Sequence, residues 1–234
     1  MNKTISLSKE TLTTLKNFGS IGKSLLFPSG NTLSTINSGN SLLSTVRIDE
    51  TIPNTFAIYN LNDLVATLSL FKDPKITIED QYMIIRDEDN NDTEVKYLFC
   101  NPKVIKTPPK SSITLPSEDV LFTLDIDTLN RIKKASSVMG LQYLYVNGSE
   151  GKISLELGKY NSVNGNLFRI VVGDTSHEFS FKYVMENINL IPDDYKVVIS
   201  SQFISQFTSL NSNRKYWIST ESGSKFKKEG ETNE

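Results

Sequence analysis

The chain has 234 residues, a net charge of −2, one cysteine (Cys100) and one histidine (His177). Its length suits two domains of about 110 residues each, while a lone thiol excludes an intrachain disulfide and one thiol with one imidazole is too little for an ordinary zinc site. No apolar run approaches the roughly 20 residues that span a bilayer, and Met1-Asn2-Lys3-Thr4 lacks the apolar stretch of a secretion signal, so the expectation is a cytosolic protein without metal, cofactor or membrane contact. Because the chain is slightly acidic overall, nucleic acid could be met only by a segregated basic face.

In chain order, Ser8 is expected to cap a helix running to about Ser20. At about 100° per residue Leu12, Leu15, Phe18 and Gly19 fall on one side. Lys9, Thr13, Lys16, Ser20 and Lys23 fall on a neighbouring side, so three ammonium groups share one stripe if the helical direction persists to Lys23. From spacing alone, a solvated helix face explains such a stripe better than a binding surface does, since surface helices commonly carry lysines. Residues 25–59 alternate short apolar runs with Ser, Asn, Gly and Pro. Ser29-Gly30-Asn31 and Ser38-Gly39-Asn40 read as turns in a meander of strands. Asn60 opens a second helix to about Phe71, with Leu64, Leu68 and Phe71 inward. Strands are expected at Lys75–Glu79, Tyr82–Arg86 and Val95–Cys100.

From about Cys100 to Pro116 the pattern lapses. Pro102, Pro108, Pro109 and Pro116 stand among Lys103, Lys106 and Lys110, and proline disfavours both helix and central strand there. This is an extended connector. Beyond it, Asp125 or Asp127 is expected to cap a helix to about Met139. Leu129, Ile132, Ala135, Ser136 and Met139 would be buried, with Arg131, Lys133 and Lys134 across the remainder. Asn147-Gly148 and Asn164-Gly165 are hairpin signals. A weaker helix covers Tyr183–Asn189, strands follow from Tyr195 and Tyr216, and the polar tail after Ser222 is expected to be disordered. The domain reading is therefore residues 1–100, a connector at 101–117, a second domain at 118–222, and a tail at 223–234.

Three segments occur twice, in the same order and at nearly the same spacing. Thr11-Leu12-Thr13-Thr14-Leu15-Lys16 matches Thr128-Leu129-Asn130-Arg131-Ile132-Lys133. Phe56-Ala57-Ile58-Tyr59 matches Phe179-Ser180-Phe181-Lys182, and Lys75-Ile76-Thr77-Ile78 matches Lys196-Val197-Val198-Ile199. Two copies of one α+β fold follow, each placing basic residues on helices.

Catalytic signatures are missing. Gly22-Lys23-Ser24 mimics the end of a phosphate-binding loop, but Asn17 stands where its first glycine belongs, and a helix, not a strand, precedes it. Asp87 to Asp92 resembles a calcium loop, yet Asp92 and Leu98 replace its required glycine and glutamate. His177, read as an exposed turn residue, has no nucleophile in a recognisable elbow. A single-strand-binding protein would want aromatic residues among its basic groups, and the basic helices carry none between their lysines.

The segments Leu7-Ser8-Lys9-Glu10-Thr11, Leu15-Lys16-Asn17-Phe18, Ala57-Ile58-Tyr59-Asn60-Leu61-Asn62 with Leu68-Ser69-Leu70, Glu150-Gly151-Lys152-Ile153 and Pro192-Asp193-Asp194-Tyr195-Lys196, with the proline-spaced connector, resemble the sliding clamps of T-even-type bacteriophages. The likeness runs from Leu7 to about Thr220 and lies in order, spacing and length. It implies a duplicated two-domain DNA-clamp fold, two helices per domain packed on antiparallel sheets, with three chains closing head to tail into a six-domain ring around double-stranded DNA. By the resemblance, Lys9, Lys16, Lys23, Arg131, Lys133 and Lys134 contact DNA without reading its sequence, with Lys72 and Lys182 as weaker candidates on the second helices. It further implies DNA polymerase, a clamp loader and late-transcription factors as partners, in the cytoplasm of an infected bacterial host. These would dock peptides in an apolar pocket near the connector, for which Val104, Ile105, Ile113, Leu115 and Tyr216 are candidates. The competing reading is a structural or adaptor β-protein of a virion, whose lysines would be dispensable for DNA synthesis.

Overall fold

The computed structural model describes residues 4–87, 92–158 and 165–227. The chain forms two compact units, Met1–Ser112 and Ile113–Glu234. Among the described residues, no helix is long and apolar enough to cross a membrane, and no group of His, Cys, Asp and Glu side chains could hold a metal ion.

The first unit runs β1 (Thr4–Ser6), α1 (Lys9–Ile21), β2 (Leu25–Phe27), β3 (Gly30–Ile36), β4 (Leu42–Ile52), β5 (Phe56–Ile58), α2 (Leu61–Leu68), β6 (Pro74–Ile78), β7 (Tyr82–Asp87) and β8 (Glu94–Leu98). The pairings are antiparallel, in the order β1-β6-β7-β8, with β2 on β5 and β3 on β4. Helix α1 starts where Ser8 accepts a hydrogen bond from the Thr11 N–H at 3.1 Å. The Glu50 carboxylate, from β4, accepts from the Ser8 N–H and, at 2.6 Å, from the Thr11 hydroxyl. Leu15 and Phe18 of α1 and Leu61, Leu64 and Leu68 of α2 enter one core with Ile76, Ile78, Met83 and Ile85. The helices meet at Gly19, where a Cβ would lie 2.3 Å from Asn62 Oδ1; Asn62 Nδ2 donates to the Gly19 carbonyl at 3.1 Å.

The second unit runs β9 (Val120–Leu124), α3 (Ile126–Met139), β10 (Tyr143–Ser149), β11 (Lys152–Leu157), β12 (Phe168–Asp174), β13 (Phe179–Val184), a short 3-10 turn (Met185–Asn187), β14 (Tyr195–Ser200), β15 (Ile204–Ser209), β16 (Lys215–Ser219) and β17 (Lys225–Phe226). One antiparallel sheet has the order β12-β11-β10-β13-β17, and β9-β14-β15-β16 follow one another in a second. Leu129, Ile132, Leu155, Leu157, Phe181, Tyr183, Val197 and Ile199 are buried.

Both units share one order: a strand, a helix, four strands, a helix or turn, three strands, to which the second unit adds β17. Strand β1 pairs with β6 as β9 pairs with β14, and β2 with β5 as β10 with β13. The three repeated sequence segments fall on α1 and α3, β5 and β13, β6 and β14. The fold is thus a duplicated α+β clamp architecture.

Four local expectations are corrected. The helix expected over Tyr183–Asn189 is absent; Phe179, Phe181 and Tyr183 are buried in alternation, a period of two that extends β13 to Val184 and leaves only a three-residue turn. Asn147-Gly148 lies inside β10, and the chain reverses one step later at Glu150 and Gly151, both with positive φ (52° and 77°). The tail does not end its order at Ser222. Phe226 stacks on Phe179 with ring centroids 6.2 Å apart, just as Phe99 stacks at 4.5 Å on Phe56, the counterpart of Phe179 in the first unit. Strand β17 therefore closes the second unit, while residues 228–234 lie outside the described residues. His177 is half-buried, its ring 5.3 Å from that of Phe226. Asn164 and residues 88–91, within the second hairpin signal and the calcium-like run, also lie outside the described residues.

Helix α3 is capped by Asp125, which accepts from the Thr128 N–H at 2.7 Å and the Thr128 hydroxyl at 2.9 Å. The backbone bond from Thr128 leads the causes that hold this carboxyl below its ordinary value. For Glu50, burial pushes upward, but the bonds from Ser8 and Thr11 outweigh it and the net direction is down. A lowered folded-state value adds stability above the unfolded value and loses it as pH falls through the folded one. Denaturant midpoints are therefore expected to decline as pH drops below about 4. Asp125→Ala should cost about 1 kcal/mol at neutral pH and flatten that acid decline. An unchanged acid profile in the variant would count against this assignment.

Candidate nucleic-acid interface

On α1 the buried side is Thr11, Thr14, Leu15, Phe18, Gly19 and Ile21. Lys9, Thr13, Lys16 and Ser20 are exposed on a neighbouring side, as the 3.6-residue period requires. The Thr13 hydroxyl donates to the Lys9 carbonyl at 2.9 Å and that of Ser20 to the Asn17 carbonyl at 2.6 Å, so both fold back on the helix and leave the lysines outermost. The stripe stops short of Lys23. Gly22, the C-cap, is extended (φ −131°), and Lys23 departs from the helix direction. Its ammonium lies 4.8 Å from the ring centroid of Tyr59.

On α3 Thr128, Leu129 and Ile132 are buried, and Asn130, Arg131, Lys134 and Ser137 are exposed. Lys133 is different. Its ammonium donates to the Leu190 carbonyl at 2.6 Å, and burial lowers its affinity for the proton. It closes the matched segment as Lys16 does in the first copy, yet its long stem turns inward to satisfy a carbonyl. Lys133 is thus a structural tie rather than an open cation, which corrects its place in the expected set.

The two weaker candidates are not on second helices. Lys72 is exposed in the turn after α2. Lys182 is on strand β13, half-buried, with its ammonium 3.9 Å from the ring centroid of Tyr143. Tyr59 and Tyr143 were not legible as site residues, since neither lies near a lysine in sequence on a common element.

Of the expected peptide-pocket residues, Val104 is exposed (62%) and Ile105 half-buried in the first unit; Ile113 and Leu115 are half-buried in the second. Tyr216 is fully buried, its ring against Tyr195 at 6.1 Å and its hydroxyl accepting from the Ile191 N–H, so it presents no surface to a peptide. In the first unit the connector lies along the β3–β4 hairpin: Lys106 donates to the Ser38 carbonyl at 2.7 Å and Thr45 to the Ser111 carbonyl. An open cavity of about 490 Å³ lies there, lined by Leu26, Pro28, Asn31, Thr32, Thr107 and Pro108 among others, and by none of the five expected residues.

Comparison with known proteins agrees with this geometry. Residues 121–222 match the family described as gp45 sliding clamp, C terminal. The chain is 27% identical over 224 residues to the sliding clamp of Vibrio phage KVP40, covering 93% of this chain and 99% of that one. It is 24% identical over 202 residues to the sliding clamp of Enterobacteria phage T4, covering 83% and 87%. Among solved structures, proliferating cellular nuclear antigen from Entamoeba histolytica superposes with a TM-score of 0.68 at 13% identity, covering 94% of this chain and all of that one. A DnaN sliding clamp from Pseudomonas aeruginosa gives 0.65 at 12%, covering 93% of this chain and 65% of that longer one. These two share the fold. With the duplicated architecture, the matches to the two phage proteins along almost the whole sequence make the chain similar to the sliding clamps of T4-like bacteriophages.

Proposed function

We propose that this chain is a sliding clamp that encircles duplex DNA as a homotrimer and tethers a viral replicative DNA polymerase for processive synthesis. The observation that carries this reading is the exposure of Lys9, Lys16, Arg131 and Lys134 on the first helix of both repeats, in a chain that is acidic overall. Such cations attract phosphates without reading bases. Long, flexible lysines give many nearly equal positions along a duplex, so a closed ring slides. Retention comes from topology, and a bound polymerase is held at high effective concentration near the primer end. The role is non-enzymatic.

A clamp loader and late-transcription factors are the further partners, acting in the cytoplasm of an infected bacterium. The cavity beside Pro28 and Pro108 is a docking place for a partner's peptide. Ring closure falls to outer strands: β8, with Leu98 67% exposed, and β12, with Val171 53% exposed, each ending its sheet among the described residues. An exposed apolar outer strand is a ready template for pairing with another copy.

Native mass across a concentration series tests this. A species of about 79 kDa, three times 26.3 kDa, dissociating on dilution, is expected. Val171→Lys is expected to shift it toward monomer, since a charge on that strand opposes close pairing. A strict monomer at all concentrations would remove the ring and its topological mechanism.

A further inference from the structure

Each unit carries a lysine held over a tyrosine ring close to where the chain leaves its first helix. In the first unit the Lys23 ammonium is 4.8 Å from the Tyr59 centroid. The Lys23 carbonyl accepts from the Leu61 N–H at 2.8 Å, so the pair sits where α1 has ended and α2 begins. In the second unit the Lys182 ammonium is 3.9 Å from the Tyr143 centroid. The Met185 N–H donates to the Gln142 carbonyl at 2.9 Å, placing this pair where α3 has ended and the 3-10 turn begins. Both rings face solvent, Tyr59 56% and Tyr143 39% exposed.

The ring and the cation come from opposite sides of the junction in the two units. Tyr59 closes the repeated segment Phe56–Tyr59, and Lys182 closes its match, Phe179–Lys182. The first copy has its ring on the β5 side and its cation on the α1 side. The second has the cation on β13 and the ring on the chain leaving α3.

We propose that Tyr59 and Tyr143 are positioning residues for duplex DNA: each ring holds an ammonium at the end of its unit's first helix, presenting it to a phosphate. The proposal rests on the DNA-encircling reading above. An aromatic face attracts a cation but, unlike a carboxylate, leaves its charge uncancelled. A lysine held in this way has less rotamer freedom to lose when a phosphate arrives, which lowers the entropic cost of contact. The held cations complement the free lysines of α1: Lys16 follows a passing phosphate, whereas Lys23 and Lys182 mark fixed points on the wall.

The experiment is anisotropy of a short fluorescein-labelled duplex titrated with the full chain at low ionic strength. Tyr59→Leu with Tyr143→Leu is expected to weaken binding about two- to fivefold, the worth of an exposed cation–π contact. Tyr59→Phe with Tyr143→Phe keeps both rings and should bind like the unaltered chain. In a background of Lys23→Ala with Lys182→Ala the leucine changes should have no further effect, because no ammonium is left to position. Tyr82, whose ring holds Lys96 at 4.1 Å on the β7–β8 hairpin and not at a helix junction, supplies the control: Tyr82→Leu should change nothing. Binding unaltered by the leucine pair, or an equal loss in the alanine background, overturns the proposal. If Lys16→Glu with Arg131→Glu also leaves binding unchanged, the DNA reading itself falls and takes the proposal with it. If that reversal weakens binding while the leucine pair does not, the positioning role alone falls.

Discussion

Lys16→Glu combined with Arg131→Glu is expected to cut clamp-dependent primer extension by roughly tenfold or more, with the extent of the loss depending on salt. Both side chains are exposed, on α1 and α3 respectively, and neither belongs to a core, so the fold should survive the change. Each reversal replaces an attraction for phosphate with a repulsion. In a trimer each acts three times around one duplex. Two controls sharpen the result. Lys133→Gln removes a charge tied to the Leu190 carbonyl, so it should lower stability while leaving the salt dependence of synthesis nearly unaltered. Lys196→Glu reverses an exposed charge that lies on strand β14 and not on a helix, and should leave synthesis intact. The measurement is product length on a primed circular template across a salt series. Equal product lengths for the double reversal and the parent chain would show that these cations are only a solvated helix face.

Gly148→Val should destabilise the second unit by about 3 kcal/mol, a fall in Tm on the order of 10–20 °C for a domain of this size. A Cβ at this position would lie 2.3 Å and 2.6 Å from two ring carbons of Phe179 and 2.7 Å from the His177 carbonyl oxygen. The carbonyl belongs to the backbone leading into β13 and cannot swing aside. The Phe179 ring is itself pinned, with Phe181 at 5.1 Å and the closing residue Phe226 at 6.2 Å. Ser149→Val, one residue on and exposed, should stay within about 0.5 kcal/mol. The pair of variants separates steric conflict at the β10–β13 contact from any general cost of valine near the turn. Thermal unfolding of both variants reads this directly, and a Gly148→Val protein as stable as its parent would refute the close packing described.

The sequence by itself determined the elements whose signals are local. Helices α1, α2 and α3 were legible from apolar spacing and from caps at Ser8 and at Asp125 or Asp127, because a helix's period and its N-terminal hydrogen bonds are confined to neighbouring residues. The duplication was legible too, since three matched segments keep their order. The exposed cations on the helices followed from the same wheel that named the buried side.

Only the tertiary structure decided features that depend on residues distant in the chain. Asn147-Gly148 has the composition of a turn, but Phe179 from β13 occupies the space beside Gly148 and keeps that pair inside a strand. The tail beyond Ser222 is polar, yet Phe226, half-buried, stacks on the aromatic cluster of Phe179 and Phe181 and ties the chain to β13. Lys133 reads like Lys16 in the repeat, but a carbonyl 57 residues downstream takes its ammonium. Tyr216 reads as a pocket candidate or, by preference, ordinary core, and packing beside Tyr195 puts it in the core. The Lys–Tyr pairs were invisible for the same reason: strand pairing joins the chain leaving each first helix to the end of a later strand. Periodicity reports which side of an element is apolar; what a side chain meets is set by packing between elements, and no local pattern encodes it.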